Sequence, residues 1–362
     1  MPASGHVDFR HGLIVGKFLP PHRGHAFVVR SAAQFCERVT VGVFDHPSMI
    51  LPLAIRSDTL REVAASFGNV TVVDAIDDVP IDYDDPVIWD RHMAIFRRGI
   101  ETATRGTAAP AVDAVFSSEA YGDELARRLG CVHVKLDGER SWEPMSGTTI
   151  RRQPPTHWKA ILPRARARLA KRVVVVGAES TGTTTLARDL AAAIGAAACV
   201  AEFGREYTMQ KLAVARARLP GASMTDLTWS AGEFVHIARV QTELEREAAR
   251  NDGPLVVCDT DALATQVWHE RYCGGTNDGV EQIIAELDPL RLYLLTHDDD
   301  VPFEDDGLRD GRHLRSWMTA RFETALRARR ARFEVLRGTR DERTRVAVVA
   351  ARRFMAEPWP WR

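Results

Sequence analysis

The stretch Leu13-Ile14-Val15-Gly16-Lys17-Phe18-Leu19-Pro20-Pro21-His22-Arg23-Gly24-His25 decides how the chain is read. A short apolar run that stops at a Leu-Pro-Pro turn has the length of a buried strand, here Leu13–Phe18, and a helical pattern follows it at once. In open parallel sheets, ligands collect at the carboxyl ends of strands, where helix N-termini offer N–H groups and a positive dipole end. Two histidines around a glycine at that junction are placed to donate to phosphate oxygens. Gly24 lets the backbone approach closely, and Lys17 adds a fixed positive charge. A helix-entry turn would read the same way if the motif stood alone. Its position straight after the first strand favours phosphate.

The same alternation continues outward. Strands are expected at Val39–Phe44, Val70–Asp74, Ala114–Ser117 and Val132–Leu136, with helices near Ala26–Glu37, Ile55–Phe67, Trp89–Thr102 and Asp123–Leu129. Strand and helix in turn argue for a parallel sheet covered on both faces. Pro154, Pro155 and Pro163 then break the pattern ahead of the basic stretch Arg164–Arg172. A second series follows, with strands at Val173–Val176, Leu255–Cys258, Leu292–Leu295, Phe333–Leu336 and Val346–Ala350, and helices over Ala231–Ala249 and Ser316–Arg330. The Arg327–Arg332 cluster reads as a solvated helix face.

Composition fits two ordinary globular domains. The chain has 362 residues, 45% hydrophobic and 27% charged, with a formal net charge of -1. So small a net charge gives no field to hold a polyanion. Five cysteines, an odd number without a CxxC pair, suit neither a disulfide framework nor a zinc site. The N-terminal residues lack a signal-peptide layout, and no apolar run reaches the ~18 residues of a membrane span. A cytoplasmic location is expected.

Two further phosphate elements stand in order along the chain. In Ser146-Gly147-Thr148-Thr149-Ile150-Arg151, hydroxyls at a helix start meet an arginine able to clamp phosphate bidentately; a plain Ser/Thr helix cap is the alternative. The strand Val173–Val176 runs into Gly177-Ala178-Glu179-Ser180-Thr181-Gly182-Thr183-Thr184-Thr185. A phosphate loop reads G-x-x-x-x-G-K-[ST], its lysine on the β- and γ-phosphates and its hydroxyl on Mg²⁺. The glycine spacing is right and Thr184 fills the Mg²⁺ position. Thr183 stands where the lysine belongs.

Taken together, GKFLPPHRGH and SGTTIR resemble the two signatures of the HxGH nucleotidyltransferase superfamily. Val115-Phe116-Ser117-Ser118-Glu119-Ala120-Tyr121-Gly122 resembles the narrower NadR family, which joins a nicotinamide mononucleotide adenylyltransferase to a ribosylnicotinamide kinase. The resemblance runs from about Gly12 to about Arg340. It implies two tandem α/β domains: an HxGH nucleotidyltransferase Rossmann-like domain over 12–153, a linker over 154–171, and a P-loop nucleoside-kinase-like domain over 172–362.

For the first domain the resemblance implies attack of the mononucleotide 5′-phosphate on the α-phosphorus of ATP, giving NAD and pyrophosphate. His22, His25, Lys17 and Arg151 would act on the phosphates. Gly16, Phe18, Gly24, Ser146 and Thr148 would line the ATP site, Ser118 and Glu119 its adenosine side, with Tyr121 beside them. Trp89 resembles the aromatic that stacks on the nicotinamide ring, a cation–π contact worth roughly 0.5–2 kcal/mol; core packing is the competing role.

For the second domain, Phe203-Gly204-Arg205-Glu206-Tyr207 resembles the family's GREY-type segment, with Arg205 and Tyr207 toward substrate. Asp259-Thr260-Asp261 ends a strand, where Asp259 could serve as base and Asp261 bind the ribosyl hydroxyls. Asp305-Asp306-Gly307-Leu308-Arg309-Asp310-Gly311-Arg312 resembles a lid whose Arg309 and Arg312 close over phosphates. Gly177, Ser180, Gly182, Thr183, Thr184 and Thr185 would hold the nucleotide, with Mg²⁺ on Thr184.

A neutral Thr183 predicts a kinase that is absent or at least roughly a hundredfold weak. A regulatory pyridine-nucleotide sensor and a fully bifunctional enzyme are the alternatives. Expected small-molecule partners are nicotinamide mononucleotide, NAD and nicotinamide riboside, with no membrane; a homo-oligomer is left open. The few residues ahead of Gly12 are too short for a helix-turn-helix reader, so direct DNA binding is not expected.

Overall fold

The computed structural model describes residues 7–361, apart from 46–49, 81, 83, 140, 143, 197, 300, 305 and 310. The lid positions Asp305 and Asp310 therefore lie outside the described residues. The chain divides into two compact units, Met1–Arg166 with Trp359–Arg362, and Ala167–Pro358. The division falls inside the stretch read as a linker, within helix Pro163–Leu169.

The first unit carries five parallel strands, β1 Gly12–Gly16, β2 Val39–Asp45, β3 Val70–Ile76, β4 Ala114–Ser117 and β5 Val132–Lys135, in the order β3-β2-β1-β4-β5. Helices α1 Arg23–Phe35, α2 Leu53–Ala64, α3 Pro86–Thr104, α4 Tyr121–Leu129 and α5 Gly147–Arg152 follow the strands. Branched residues buried on both faces of β1 and β2 explain their continuous apolar runs. Strand order reverses beside β1, and a crevice opens there at the strands' carboxyl ends.

The second unit is a parallel sheet too: β6 Lys171–Gly177, β7 Ala198–Val200, β8 Leu255–Asp259, β9 Arg291–Thr296 and β10 Phe333–Leu336, ordered β10-β9-β6-β8-β7. β6 lies between β9 and β8, and the phosphate loop leaves its end. Helix α6 Thr183–Ile194 starts from that loop, α7 Phe203–Arg218 and α8 Ala231–Asn251 come next, and α9 Ala262–Cys273 follows β8.

One expected strand is a helix. Val346–Ala350 lies inside α10, Arg340–Ala356. Its apolar residues follow helical spacing: Ala347, Ala350, Ala351 and Phe354 are buried, whereas Val346 and Val349 are exposed. A Thr339–Glu342 capping box starts the helix.

Candidate nucleotide sites

At the end of β1, the two histidines build the start of α1. His22 is its N-cap, and its Nδ1 accepts from the Gly24 N–H at 3.1 Å. His25 reaches back, its Nδ1 accepting from the His22 N–H at 3.2 Å. This is a capping box made from imidazoles. Its chemical consequence follows from the tautomer. An Nδ1 that accepts a main-chain N–H carries no proton, so each neutral ring presents Nε2–H as a donor. The rings lie 3.7 Å apart between centroids, and His22 is buried.

Around these rings is a cleft of about 440 Å³ lined by Gly16, Lys17, Phe18, Gly24, Trp89, Ser118, Glu119, Thr148 and Arg151 among others. Arg151 donates to the Leu19 carbonyl at 2.6 Å and to Thr148 Oγ1 at 3.0 Å. The close approach of α5 requires Gly147, whose Cβ would stand 2.9 Å from the Leu19 oxygen. Ser146 is not on the lining: its Oγ accepts from the Thr149 N–H at 3.0 Å, as a helix cap does. Tyr121 donates to the Val15 carbonyl at 2.5 Å and also lines the cleft. Trp89 lines the cleft and also packs in an apolar cluster, with the Arg128 guanidinium 5.4 Å above its ring.

Two groups escaped the sequence. Asp45, fully buried at the end of β2, pairs with Arg56 at 2.6 Å and Lys17 at 3.3 Å. Arg56 also donates to the Lys17 carbonyl, so a buried ion pair holds the Lys17 backbone and head. His92 on α3 meets Asp77 at 2.7 Å and Pro80 O at 3.1 Å, and His92 and Asp77 line the cleft. Nothing local marks either pair, because each joins residues from different turns.

In the second unit, Gly177 is fixed by packing: a Cβ there would fall 2.1 Å from Thr296 Oγ1. Gly182 takes φ +85° as the cap of α6, and Thr181 Oγ1 donates to Ala178 O at 2.7 Å. The loop thus has the shape of an anion-binding nest. Gly177, Ser180, Thr183, Thr184, Arg205 and Arg309 line one pocket, and Glu202, Trp229, Trp268 and Tyr272 complete its wall. Arg309 reaches Ser180 Oγ at 3.4 Å and Glu304 O at 2.7 Å. Arg205 pairs with Asp306 at 2.5 Å. Burial pushes the Asp259 carboxyl above its ordinary range, against the pull of Thr184, Arg188, Thr183 and Arg205. Burial, with Asp259 nearby, pushes Glu202 up to about 8.

Other expected residues stand apart from that pocket's lining. Gly182 and Thr185 belong to the loop and the first turn of α6, both exposed. Tyr207 donates to Glu233 at 3.0 Å, and Arg312 lies over Phe303 at 5.7 Å. Asp261 is a correction. It is fully buried and caps α9, accepting from Leu263 N–H at 2.9 Å, Tyr293 OH at 2.7 Å and Arg291 at 3.2 Å. A carboxylate saturated by a helix N-terminus, a phenol and a guanidinium is a fold element with no face for substrate. Asp261→Ala would leave Arg291 with a weakened counter-charge; we expect a loss of about 3–5 kcal/mol in denaturant unfolding of this unit.

A sheet with a histidine-capped phosphate cleft and a second sheet with a phosphate loop define a two-domain nucleotide-transferring enzyme. A family model described as an AAA domain matches residues 172–343. The trifunctional NAD biosynthesis/regulator protein NadR of Salmonella typhimurium is 25% identical over 317 residues, 82% of this chain and 71% of that protein. Phosphopantetheine adenylyltransferase of Streptococcus pyogenes is 27% identical over 142 residues, 39% of this chain and 80% of that one. Among solved structures, NadR protein in complex with NR matches at TM-score 0.70 and 22% identity, covering 98% of both chains. NadR protein in complex with NAD and AMP-PNP matches at TM-score 0.64 and 21% identity, over 96% of this chain and 98% of that one. The chain is thus similar to NadR proteins along most of its length and shares the fold of the two solved NadR structures. Among the described residues, no helix is long and apolar enough to cross a membrane.

Proposed function

We propose that the first unit transfers the adenylyl group of ATP to nicotinamide mononucleotide, giving NAD and pyrophosphate. The observation that carries this reading is the imidazole capping box, which fixes His22 and His25 as paired Nε2–H donors where a triphosphate would lie. The mononucleotide's phosphate oxygen forms a bond to the α-phosphorus as the bond to the bridging oxygen of pyrophosphate breaks. No protein nucleophile is required, because positioning and charge stabilisation supply the rate. His22 and His25 hold the phosphates. Lys17, oriented by Asp45, and Arg151, oriented by Leu19 O, oppose the charge that develops on the leaving group. Trp89 and the Asp77–His92 pair stand in the same cleft for the pyridine ring.

The second unit we read as a nucleotide-binding kinase relative with weak or absent ribosylnicotinamide kinase activity. Thr183 cannot supply the cation that a phosphate loop aims at the transferred phosphoryl group. The donor set still suits Mg²⁺: Asp259 Oδ1 is buried without a hydrogen-bond partner among the described residues, close to the Thr184 hydroxyl. Bound there, Mg²⁺ would neutralise nucleotide phosphate charge. Asp259 would then be its carboxylate and Thr184 its hydroxyl. All five cysteines are free thiols, in keeping with a reducing cytoplasmic setting.

Two assays on one purified sample with Mg-ATP test the reading. Nicotinamide mononucleotide should yield NAD, whereas nicotinamide riboside should yield its phosphate at least roughly a hundredfold more slowly than an ordinary kinase. Riboside phosphorylation at ordinary kinase rates would show that another cation replaces the lysine. Turnover in neither assay would leave a nucleotide sensor.

A further inference from the structure

The first unit contains a segment from the far end of the described chain. Helix α10 ends at Ala356, and Lys171 Nζ donates to the Phe354 carbonyl at 2.7 Å and the Glu357 carbonyl at 2.6 Å, fixing where the chain leaves. Pro358 and Pro360 bracket Trp359, and the Trp361 N–H donates to the Trp359 carbonyl at 3.0 Å, closing a tight turn at Pro360. Trp359 is 5% exposed, its ring 6.4 Å from that of the buried Trp158. Trp361 then donates its indole N–H to the Arg151 carbonyl at 3.2 Å and lines the phosphate cleft with His25, Thr148 and Arg151.

We propose that Trp361 is a base-binding residue of the adenylyl-transfer site, its indole face receiving the purine ring of ATP while its N–H holds the turn that carries Arg151. This rests on the adenylyltransferase reading above. The aromatic lining of the cleft falls into two groups, one packed on itself and one joined to the Arg151 main chain. Phe44, Phe96 and His92 stack on one another with Trp89 in the same cluster, and this group is assigned to the pyridine ring; Trp361 stands beside Arg151. The phosphate donors lie along the cleft, so the two bases of the dinucleotide product must leave them toward different walls. With its N–H already bonded, Trp361 can recognise a base only by stacking, which every purine offers through its π-face. The anchor Trp359 serves only to bring Trp361 there.

The test is steady-state NAD formation by full-length wild type, Trp361→Ala and Trp361→Phe, with inorganic tripolyphosphate as competitor against ATP. Trp361→Ala should raise KM for ATP about tenfold, the scale of a lost base–aromatic stack, with KM for nicotinamide mononucleotide within about twofold. Trp361→Phe should recover most of the ATP KM, because it restores the ring, and should lower kcat a few-fold through the lost bond to Arg151. Inhibition by tripolyphosphate, which has no base, should be the same in all three. An unchanged KM for ATP in Trp361→Ala overturns the proposal. So does an equal loss for both substrates and tripolyphosphate, which would mark a purely structural residue. A wild-type chain that forms no NAD overturns the adenylyltransferase reading, and this inference with it.

Discussion

His25→Ala is expected to lower kcat/KM for NAD formation by about a thousandfold, with thermal stability reduced only slightly. Removing one preorganised donor from a site of developing charge costs on the order of a hundred- to a thousandfold. His25→Ala loses more than that donor: the His25 Nδ1 also accepts the His22 N–H, so the His22 main chain loses its acceptor and the His22 ring loses its stacked neighbour, keeping only its bond from the Gly24 N–H. His25→Asn separates the two roles. An amide oxygen can take the cap bond, as asparagine does at helix starts, but its reach toward a phosphate is shorter. Asparagine should therefore recover stability while activity stays low. Full activity in His25→Ala, measured by coupled NAD production, would contradict the assigned role.

Thr183→Lys is the second large effect, and it runs the other way: nicotinamide riboside phosphorylation should rise about a hundredfold or more. Thr183 lines the pocket at the first position of α6, where a lysine stem can extend along the loop. The surrounding arginines are largely committed. Arg315 donates to Ser180 O at 3.3 Å and Val301 O at 2.9 Å, and Arg343 to Thr181 O at 3.0 Å and His297 O at 3.0 Å; both brace loop carbonyls. Arg309, at Ser180 Oγ, is the neighbour best placed to supply a cation in the native chain. Arg309→Ala should then abolish whatever kinase activity the wild type has and cost the Thr183→Lys variant only a fraction. A Thr183→Lys chain no faster than wild type would place the defect elsewhere, for instance in the raised carboxyl of Asp259.

The residues that could be read from sequence are those whose chemistry is contiguous. His22, Gly24 and His25 sit in one turn, and the strand before them and helix after them fix where that turn goes. The loop from Gly177 to Thr184 is legible for the same reason. Asp45 with Arg56, Asp77 with His92, and the wall of Trp229, Trp268 and Tyr272 were not, because each is assembled by packing from separate elements. Trp361 is the extreme case, lying 210 positions from the Arg151 carbonyl it binds. Asp261 misled because a carboxylate at a strand end looks the same in sequence whether it faces a ligand or caps the next helix. Val346–Ala350 misled because its branched residues suggested a strand, while the buried positions followed the period of a helix.

The proposed reaction moves the α-phosphoryl group of ATP, with its adenosine, onto nicotinamide mononucleotide. The most direct measurement follows the label. With ATP radiolabelled at the α-phosphorus, nicotinamide mononucleotide and Mg²⁺, label is expected to accumulate in NAD while unlabelled pyrophosphate forms in equal amount. Label that stays in ATP, or that appears in AMP or ADP without NAD, would contradict it.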